Sequence, residues 1–378
     1  MGNAVREWEV DAGLCSMAFS QDDQSLVLLH RSGQECWLCW WDTTNGHLRR
    51  RLGCHNDSRF VRLAQRDAAI VLGHDGQTVT AFRYPGDKEL LQVRWSQNAA
   101  IGDQFLSSVQ ISNDGSLLSL PVVSTSTSPA ESHSSRAHLH HEVWDLKTGK
   151  QLLALPGRHQ WTSLAALSGS GQWLATGECY GIGIWNLKTG EDVSENAWPC
   201  HWGAISSVLV AQSTRERVIT CALGDREAIR VWDAKTSQCT GAFGDGTLNM
   251  GRAVLSPDGS CVIHSDLVHG LSAWDCETGK CQWRDSSVDA MAHEFVAGLA
   301  KGESIVLGGP GRRIHIYDVK QQRLKTTIPL HGSIEGSLSA LAVSPGGQTV
   351  AVADASTTAA QEAAPSRVWL LDLCSGKQ

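Results

Sequence analysis

Apolar and polar residues alternate with a period of two along most of this chain, which is the spacing of strands with one buried face. One alternating phrase recurs and ends in an aromatic residue followed by an acid, as in Trp41-Asp42 and Trp232-Asp233. A polar pair and a glycine follow several copies, for example Lys188-Thr189-Gly190. Glycine there supplies the positive φ of a tight hairpin turn. The pattern predicts short antiparallel strands and almost no helix.

A second alternating segment precedes each phrase and ends in its own turn, best preserved as Ser256-Pro257-Asp258-Gly259. Each unit therefore contains four strands separated by a turn, a loop and a second turn. The aromatic position of each unit, or its divergent equivalent, falls at Trp41, Tyr84, Trp144, Trp185, Trp232, Trp274, Tyr317 and Leu371. Six of the seven spacings lie between 41 and 54 residues and the other is 60, so the chain contains eight copies of one unit.

Four strands repeated at about 40–45 residues with a Trp-Asp signature are typical of a propeller blade. On these residues the chain resembles the WD-repeat family along nearly its whole length. The resemblance implies an all-β, eight-bladed β-propeller of four-stranded antiparallel blades, in a single domain over residues 1–378. It also implies that six aromatic residues are structural, namely Trp41, Trp144, Trp185, Trp232, Trp274 and Tyr317. Seven blades with an irregular flank are the alternative, because the second unit has Tyr84-Pro85 where Trp-Asp is expected.

The two ends of the chain predict how such a ring closes. Residues 5–10 form a spare alternating strand before the first unit, whereas the eighth unit lacks residues for a fourth strand. The N-terminal strand can therefore complete the last blade and leave no free edge. Two units carry insertions between their second and third strands, at about 121–141 and 354–366, and we expect both to form loops.

Charge and composition narrow the function classes. Lys and Arg number 32 against 39 for Asp and Glu, a net charge of −7, which argues against direct nucleic-acid binding. No apolar run approaches the roughly 18 residues that a membrane span needs. The chain begins without the apolar core of a signal peptide, and its twelve cysteines are too few for a disulfide scaffold. We expect a cytoplasmic protein without membrane insertion, and the oligomeric state stays open.

The histidines and cysteines give weak chemical signals. The family resemblance implies structural histidines that hydrogen-bond toward a turn Asp and the Trp of the repeat, here His55, His159, His201 and His331. His138 and His140 share a strand face and could bind one metal ion, but no cysteine nearby completes a site, so no metal is expected. Cys36 and Cys39 point to opposite faces of a strand and cannot share a metal ion.

No phosphate-binding loop, zinc-protease helix or nucleophile elbow occurs in the sequence, so we expect no enzyme and no cofactor. The expected function is a protein–protein interaction scaffold in an intracellular multiprotein complex. The alternative is a quinoprotein-like eight-bladed propeller, acting as an enzyme or an envelope assembly factor, which residues 273–283 resemble. Reading the third position of each first strand across the ring gives small residues interrupted by three cations, which we expect to bind a partner: Arg62, Arg252 and His293.

Overall fold

The structure of the protein is a computed structural model. It describes residues 4–10, 13–20, 22–32, 35–54, 60–63, 69–74, 78–83, 89–94, 108–112, 114–125, 137–155, 164–177, 181–194, 201–211, 216–244, 253–256, 259–266, 270–285, 295–298, 304–309, 313–318, 321, 323–330, 338–354 and 366–373. These residues form thirty-two strands and no α-helix. Consequently none of them belongs to a helix that is long and apolar enough to cross a bilayer.

The strands form eight four-stranded antiparallel sheets, numbered I to VIII along the chain. Sheet I contains β2 (Gly13–Phe19), β3 (Ser25–Ser32), β4 (Glu35–Asp42) and β5 (Leu48–Cys54), and sheet II contains β6 (Phe60–Leu63), β7 (Ala69–His74), β8 (Thr78–Arg83) and β9 (Glu89–Arg94). Sheet III contains β10 (Gln110–Ile111), β11 (Leu117–Thr125), β12 (Ala137–Asp145) and β13 (Lys150–Leu155), and sheet IV contains β14 (Leu164–Leu167), β15 (Trp173–Gly177), β16 (Ile182–Asn186) and β17 (Glu191–Asp192).

Sheet V contains β18 (Ile205–Val210), β19 (Arg217–Ala222), β20 (Ile229–Asp233) and β21 (Cys239–Phe243), and sheet VI contains β22 (Ala253–Leu255), β23 (Cys261–Asp266), β24 (Gly270–Asp275) and β25 (Cys281–Asp285). Sheet VII contains β26 (Phe295–Gly298), β27 (Ser304–Gly309), β28 (Arg313–Asp318) and β29 (Arg323–Pro329), and sheet VIII contains β30 (Leu338–Val343), β31 (Thr349–Asp354), β32 (Ser366–Asp372) and β1 (Ala4–Val10). The repeated sheets are propeller-like. The prediction of eight four-stranded units is confirmed, and the alternative with seven is wrong.

Sheet VIII joins the two ends of the described chain. In the other seven sheets the strands lie in chain order, but in sheet VIII the order is β1-β32-β31-β30. β1 runs antiparallel to β32, with Trp8 opposite Val368 and Glu7 opposite Trp369. The guanidinium of Arg367 also lies 3.5 Å from Glu9 and 3.6 Å from Glu7.

The third strand carries an aromatic residue at one fixed register in seven of the eight sheets, and Leu371 occupies this register in sheet VIII. Trp41 lies opposite Leu26, and Trp232 lies opposite Val218, the equivalent residue of its own sheet. In sheet II the same register is occupied by Phe82, opposite Ile70. Tyr84, which the sequence pattern assigned to this position, is therefore a wrong assignment, and it lies outside the described residues.

This register matters because the aromatic side chain of one sheet packs against the preceding sheet. Trp232 belongs to a core cluster with Ala175 and Ile184 of sheet IV. Trp274 stacks on Phe243 of sheet V, with ring centroids 5.8 Å apart. Trp41 stacks on Trp8 of sheet VIII at 5.7 Å. Burying large flat side chains between sheets is a main source of stability here, which explains why tryptophan recurs.

The polar residues of the repeat form its turns. The carboxylate of Asp275 accepts hydrogen bonds from the backbone N–H groups of Glu277 and Thr278, at 2.9 and 2.7 Å. These bonds and that of the Thr278 hydroxyl lower the pKa of Asp275. In the other turn, Ser256 Oγ accepts the N–H of Cys261 at 2.9 Å. Trp274-Asp275 therefore combines a packing residue with a turn residue, and Ser256 stabilises the turn between β22 and β23.

The insertion of sheet III is partly strand. Residues 121–125 continue β11 and residues 137–141 belong to β12, with Pro121 opposite His141 and Val122 opposite His140. The expected loop over 121–141 is therefore wrong at both ends, because β11 and β12 extend into it and pair with each other there. In sheet VIII, β31 ends at Asp354 and β32 begins at Ser366, in agreement with the expected insertion. Residues 355–365 lie outside the described residues.

Candidate partner-binding surface

Sheet V contains a chain of buried polar contacts around Trp232. The indole N–H of Trp232 donates to Thr220 Oγ1 at 3.0 Å. Thr220 Oγ1 also lies 2.8 Å from His201 Nε2, and His201 Nδ1 lies 3.0 Å from Asp225 Oδ2. A neutral His201 ring with its proton on Nδ1 gives every group a partner, because it donates to Asp225 and accepts from Thr220. The expectation that His201 is structural is consistent with these contacts.

Burial and charge keep this histidine neutral. His201 is 4% exposed, and burial lowers its pKa to about 4, while the hydrogen bond to Asp225 acts in the opposite direction. For Asp225, burial alone raises the pKa, but the bonds from His201 and from two backbone N–H groups outweigh it and the pKa is lowered. The Arg230 guanidinium lies 3.8 Å from Asp225 and adds a positive charge. Asp225 is therefore a buried anion with several donors.

Trp202 follows His201 directly and has the opposite environment. Its side chain is 89% exposed, the highest value among the exposed large hydrophobic residues of the described chain. Its backbone N–H donates to Asp225 Oδ2 at 3.3 Å, so the carboxylate that binds His201 also holds the backbone of Trp202. The network thus presents a large apolar side chain to solvent from an anchored backbone.

The residues after Trp202 leave the loop little freedom. The N–H of Leu223 donates to the carbonyl of Ala204 at 2.9 Å, which ties the loop before β18 to the turn between β19 and β20. A Cβ atom on Gly203 would lie 1.6 Å from the carbonyl oxygen of Leu223, so only glycine fits. The loop can approach the turn this closely only because position 203 has no side chain.

Charged side chains surround the base of this loop. Arg226 and Glu227 are exposed and follow Asp225 directly in the turn. The Arg230 guanidinium lies 3.7 Å from Glu227 Oε2. An exposed indole beside exposed charges of both signs is the composition of a protein-binding patch with an apolar centre and a polar rim. We call Trp202, Arg226 and Glu227 the Trp202 surface.

The structure describes the other predicted site residues only in part. Arg62 lies in β6, but its register equals that of Ala18, whereas the register equivalent of Ser16 is Phe60. The alignment of the first strands from the sequence is therefore shifted by two residues in sheet II. The predicted residues outside the described chain are Arg252, His293, His55, His159 and His331. Their roles stay predictions.

Of the two candidate metal ligands on β12, the side chain of His138 lies outside the described part of the chain and that of His140 is described. His140 Nε2 lies 3.5 Å from Glu142 Oε1, and His141 is buried on the other face of β12, where burial lowers its pKa to about 4. Cys36 packs in an apolar cluster, whereas Cys39 contacts His30 Nε2 at 3.0 Å, so the two cysteines do lie on opposite faces. Within the described ranges no three His, Cys, Asp or Glu side chains come together as metal ligands would.

Comparisons with known proteins show a fold and no family. No protein-family model matches the chain, and no curated protein matches its sequence. In structure the chain is similar to the computationally designed Ika8 protein, with a TM-score of 0.68 and 18% identity over 96% of this chain and 97% of that one. Since 1758 chains of solved structures match this chain, the fold is widely shared and does not specify a function.

Proposed function

We propose that this protein is a non-catalytic scaffold, a WD-repeat propeller that holds partner proteins in an intracellular multiprotein complex. The observation that carries the proposal is Trp202, which is 89% exposed beside a buried polar network. The contacts of His201 with Asp225, and through Thr220 with Trp232, support the WD-repeat assignment, because they follow the pattern that the resemblance implies.

An exposed tryptophan on an anchored loop is suited to binding a partner. Burying such a side chain contributes on the order of 2–3 kcal/mol. Most of that gain is retained when the backbone is already ordered, since binding then costs little conformational entropy. Tryptophan and arginine are also the residues most enriched at the centres of protein interfaces. The partner is a protein rather than a nucleic acid, because the chain has a net charge of −7.

The test is purification of the protein with its partners, comparing Trp202→Ala with the unchanged chain. Loss of specific partners at an unchanged melting temperature is expected, because the exposed indole makes no contribution to the core. Leu152→Ala is the matched control, since Leu152 is an exposed apolar residue on sheet III, 49% accessible to solvent. Undiminished recovery of every partner by Trp202→Ala would show that the Trp202 surface is not the binding site.

The proposal includes closure of the eight sheets into a ring. β2 contacts β6 on one side and β30 on the other, and the N–H of Gly346 donates to Asp23 Oδ2 at 3.0 Å. Deleting residues 1–10 removes both β1 and the stacking of Trp8 on Trp41, so we expect aggregation or loss of cooperative unfolding. Deleting residues 1–3 leaves β1 intact and is the control. A soluble chain that unfolds cooperatively without residues 1–10 would contradict closure.

We also propose the cytoplasm as the location. No disulfide joins the eight cysteines whose side chains the structure describes, although Cys36 and Cys54 lie directly opposite each other on β4 and β5. Thiols in such a position stay reduced in a reducing compartment. The three cations Arg62, Arg252 and His293 are a second set of candidate contacts, to be tested by the same purification with the Arg62→Ala and Arg252→Ala double variant.

A further inference from the structure

The outer strand of sheet I is unusually basic for this acidic protein. β5 contains Arg49, Arg50 and Arg51 in succession and no acid. The other outer strands contain at most two cations each, and β29 comes nearest with Arg323 and Lys325. Since the whole chain has a net charge of −7, this cluster is local and does not reflect the general composition.

β5 is also the end strand of its sheet. The order β2-β3-β4-β5 leaves it paired with β4 alone among the described strands. One of its two edges therefore presents backbone N–H and C=O groups to which a further strand could hydrogen-bond. Three neighbouring positive charges on this edge repel the same edge of a second copy, so they disfavour self-association through β5. The same charges attract a strand with carboxylates.

The three arginines differ in what they contact. Arg49 donates from Nε and Nη2 to Asp42 Oδ2 at 2.9 and 2.6 Å and is engaged within the sheet. Arg50 and Arg51 each lie over a tryptophan ring: Arg50 Cζ is 5.3 Å from the Trp40 ring centroid, and Arg51 Cζ is 3.7 Å from that of Trp37. Trp40 is buried and Trp37 half-buried, so both rings are fixed supports.

Stacking orients a guanidinium and leaves its donors available. The indole contacts the face of the guanidinium, whereas the N–H bonds lie in its plane, directed away from the ring. Arg51 is exposed, and within the described chain its guanidinium donates no hydrogen bond. It is therefore held in place before any ligand binds, and its fork of donors matches the two oxygens of a carboxylate.

We propose that β5 binds an extended acidic segment of a partner protein, which adds to sheet I as a fifth strand. Neighbouring residues of a strand point to opposite faces, so Arg50 and Arg51 lie on the two faces of the sheet. An added strand about 4.8 Å away would place two consecutive acidic residues on those same two faces. One carboxylate then binds the guanidinium of Arg51 and the other that of Arg50, while the backbones pair. This inference rests on the proposed scaffold function and names one of its partner surfaces.

The experiment measures binding of a short fluorescent peptide, with a central Glu-Glu pair flanked by valine and threonine, to the full chain by anisotropy. Saturable binding that weakens with added salt is expected. The variant Arg50→Glu with Arg51→Glu should bind at least about tenfold more weakly, because each charge-assisted pair contributes a large share of the affinity. Arg323→Glu with Lys325→Glu on β29 is the charge-matched control and should stay within about twofold. Melting temperatures verify folding, and Arg51→Gln replaces the double variant if that chain unfolds.

Two altered peptides test the strand geometry. A peptide with Glu-Thr-Glu places both acids on one face and should bind more weakly than the Glu-Glu peptide, although its charge is equal. A Glu-Glu peptide with methylated backbone nitrogens cannot pair with β5 and should not bind. Equal binding of all three peptides, equal loss in the β29 variant, or no binding at all would overturn the proposal. Partner recovery that depends on Trp202 would stand in each of those cases, so failure of this site is distinguishable from failure of the scaffold function.

Discussion

Sheets V and VI are neighbours, and each buries a tryptophan at the same register position, but they satisfy its N–H group in different ways. In sheet V the indole of Trp232 donates to Thr220 on the adjacent strand, and the contacts continue through His201 to Asp225. In sheet VI the indole of Trp274 donates to Ser272 Oγ, two residues earlier on its own strand, at 3.0 Å. No histidine occurs between residues 244 and 252, ahead of the first strand of sheet VI.

The difference shows that the repeat conserves packing more strictly than polar contacts. Trp232 and Trp274 are 2% and 5% exposed, so both sheets bury the ring equally well. The bond in sheet VI stays within one strand and restrains little. The network of sheet V joins the loop before β18, two strands and a turn, and it thereby fixes the loop that carries Trp202. Of these two sheets, sheet V has both a polar network that links several elements and an exposed tryptophan on one of them.

The largest expected effect comes from removing the central hydroxyl of the network. Thr220→Val should lower the free energy of unfolding by about 2–4 kcal/mol, because it leaves both His201 Nε2 and the Trp232 N–H buried without partners. Ser272→Ala in sheet VI should cost only about 1–2 kcal/mol, since it affects one N–H group. Urea unfolding measures both. Thr220→Ser retains the hydroxyl and is the control; equal losses in Thr220→Val and Ser272→Ala would abolish the distinction between the sheets.

Acid should weaken sheet V through His201. The pKa of His201 is lowered to about 4 in the folded chain by burial, from 6.5. The unfolded chain therefore takes up the proton at a higher pH than the folded chain does. The free energy of unfolding has its full value above pH 6.5 and decreases as the pH falls to about 4. The total decrease from this residue is about 3 kcal/mol. Unfolding followed from pH 7 to pH 4.5 measures it.

The control for this pH dependence is His201→Gln, which cannot titrate. It should be less stable at pH 7 and lose less stability on acidification than the unchanged chain. His141 has a similarly lowered pKa and leaves part of the slope in place. A pH dependence identical to that of the unchanged chain would show that His201 is not its source.

A smaller effect separates the turns that follow the two tryptophans. Ser237 in sheet V has φ +53°, where sheet VI has Gly279 at φ +67°. The Ser237 hydroxyl is buried and has no hydrogen-bond partner among the residues that the structure describes. Ser237→Gly should therefore stabilise the protein by about 1 kcal/mol, and Gly279→Ser should destabilise it by a similar amount. Thermal unfolding of the two variants, shifted in opposite directions, checks this. Destabilisation by Ser237→Gly would contradict it.

The smallest expected effect is that of Trp202→Ala on stability. Trp202 and Trp232 belong to the same sheet, but the first is 89% exposed and the second 2% exposed. Trp202→Ala should leave the free energy of unfolding within about 0.5 kcal/mol of the unchanged value, whereas Trp232→Ala should cost about 3–5 kcal/mol. Calorimetry of the two variants compares them. A large loss from Trp202→Ala would mean that its indole packs in the folded protein.

Strands and turns could be predicted from the sequence because each depends on neighbouring residues. The Trp-Asp phrase encodes a buried ring and the turn after it, so sheets V and VI were located correctly. Register was harder. In sheet II the sequence offers Phe82 and Tyr84 as candidates two residues apart, and only the pairing of β8 with β7 selects Phe82. Strand length in sheet III likewise depends on pairing, because β11 continues through Pro121 to Thr125 where it pairs with β12.

The candidate surfaces could not be predicted in the same way. His201 was found through the resemblance, whereas Trp202 was missed, because an exposed apolar residue has no periodic pattern. The only signal was a tryptophan outside the repeated register, next to a structural histidine. The basic strand β5 is visible as three consecutive arginines, but their stacking on Trp37 and Trp40 depends on the register between β4 and β5.

The pairing of β1 with β32 has a consequence for the synthesis of the chain. Of the described strands, β1 emerges from the ribosome first and its partner β32 emerges last. Sheet VIII is therefore the last to form, even if the other sheets fold early. Until then Trp8 and the partially formed sheet expose apolar surface. A nascent chain in this state is prone to associate with others. The chain is therefore most prone to such association in the interval before β32 emerges.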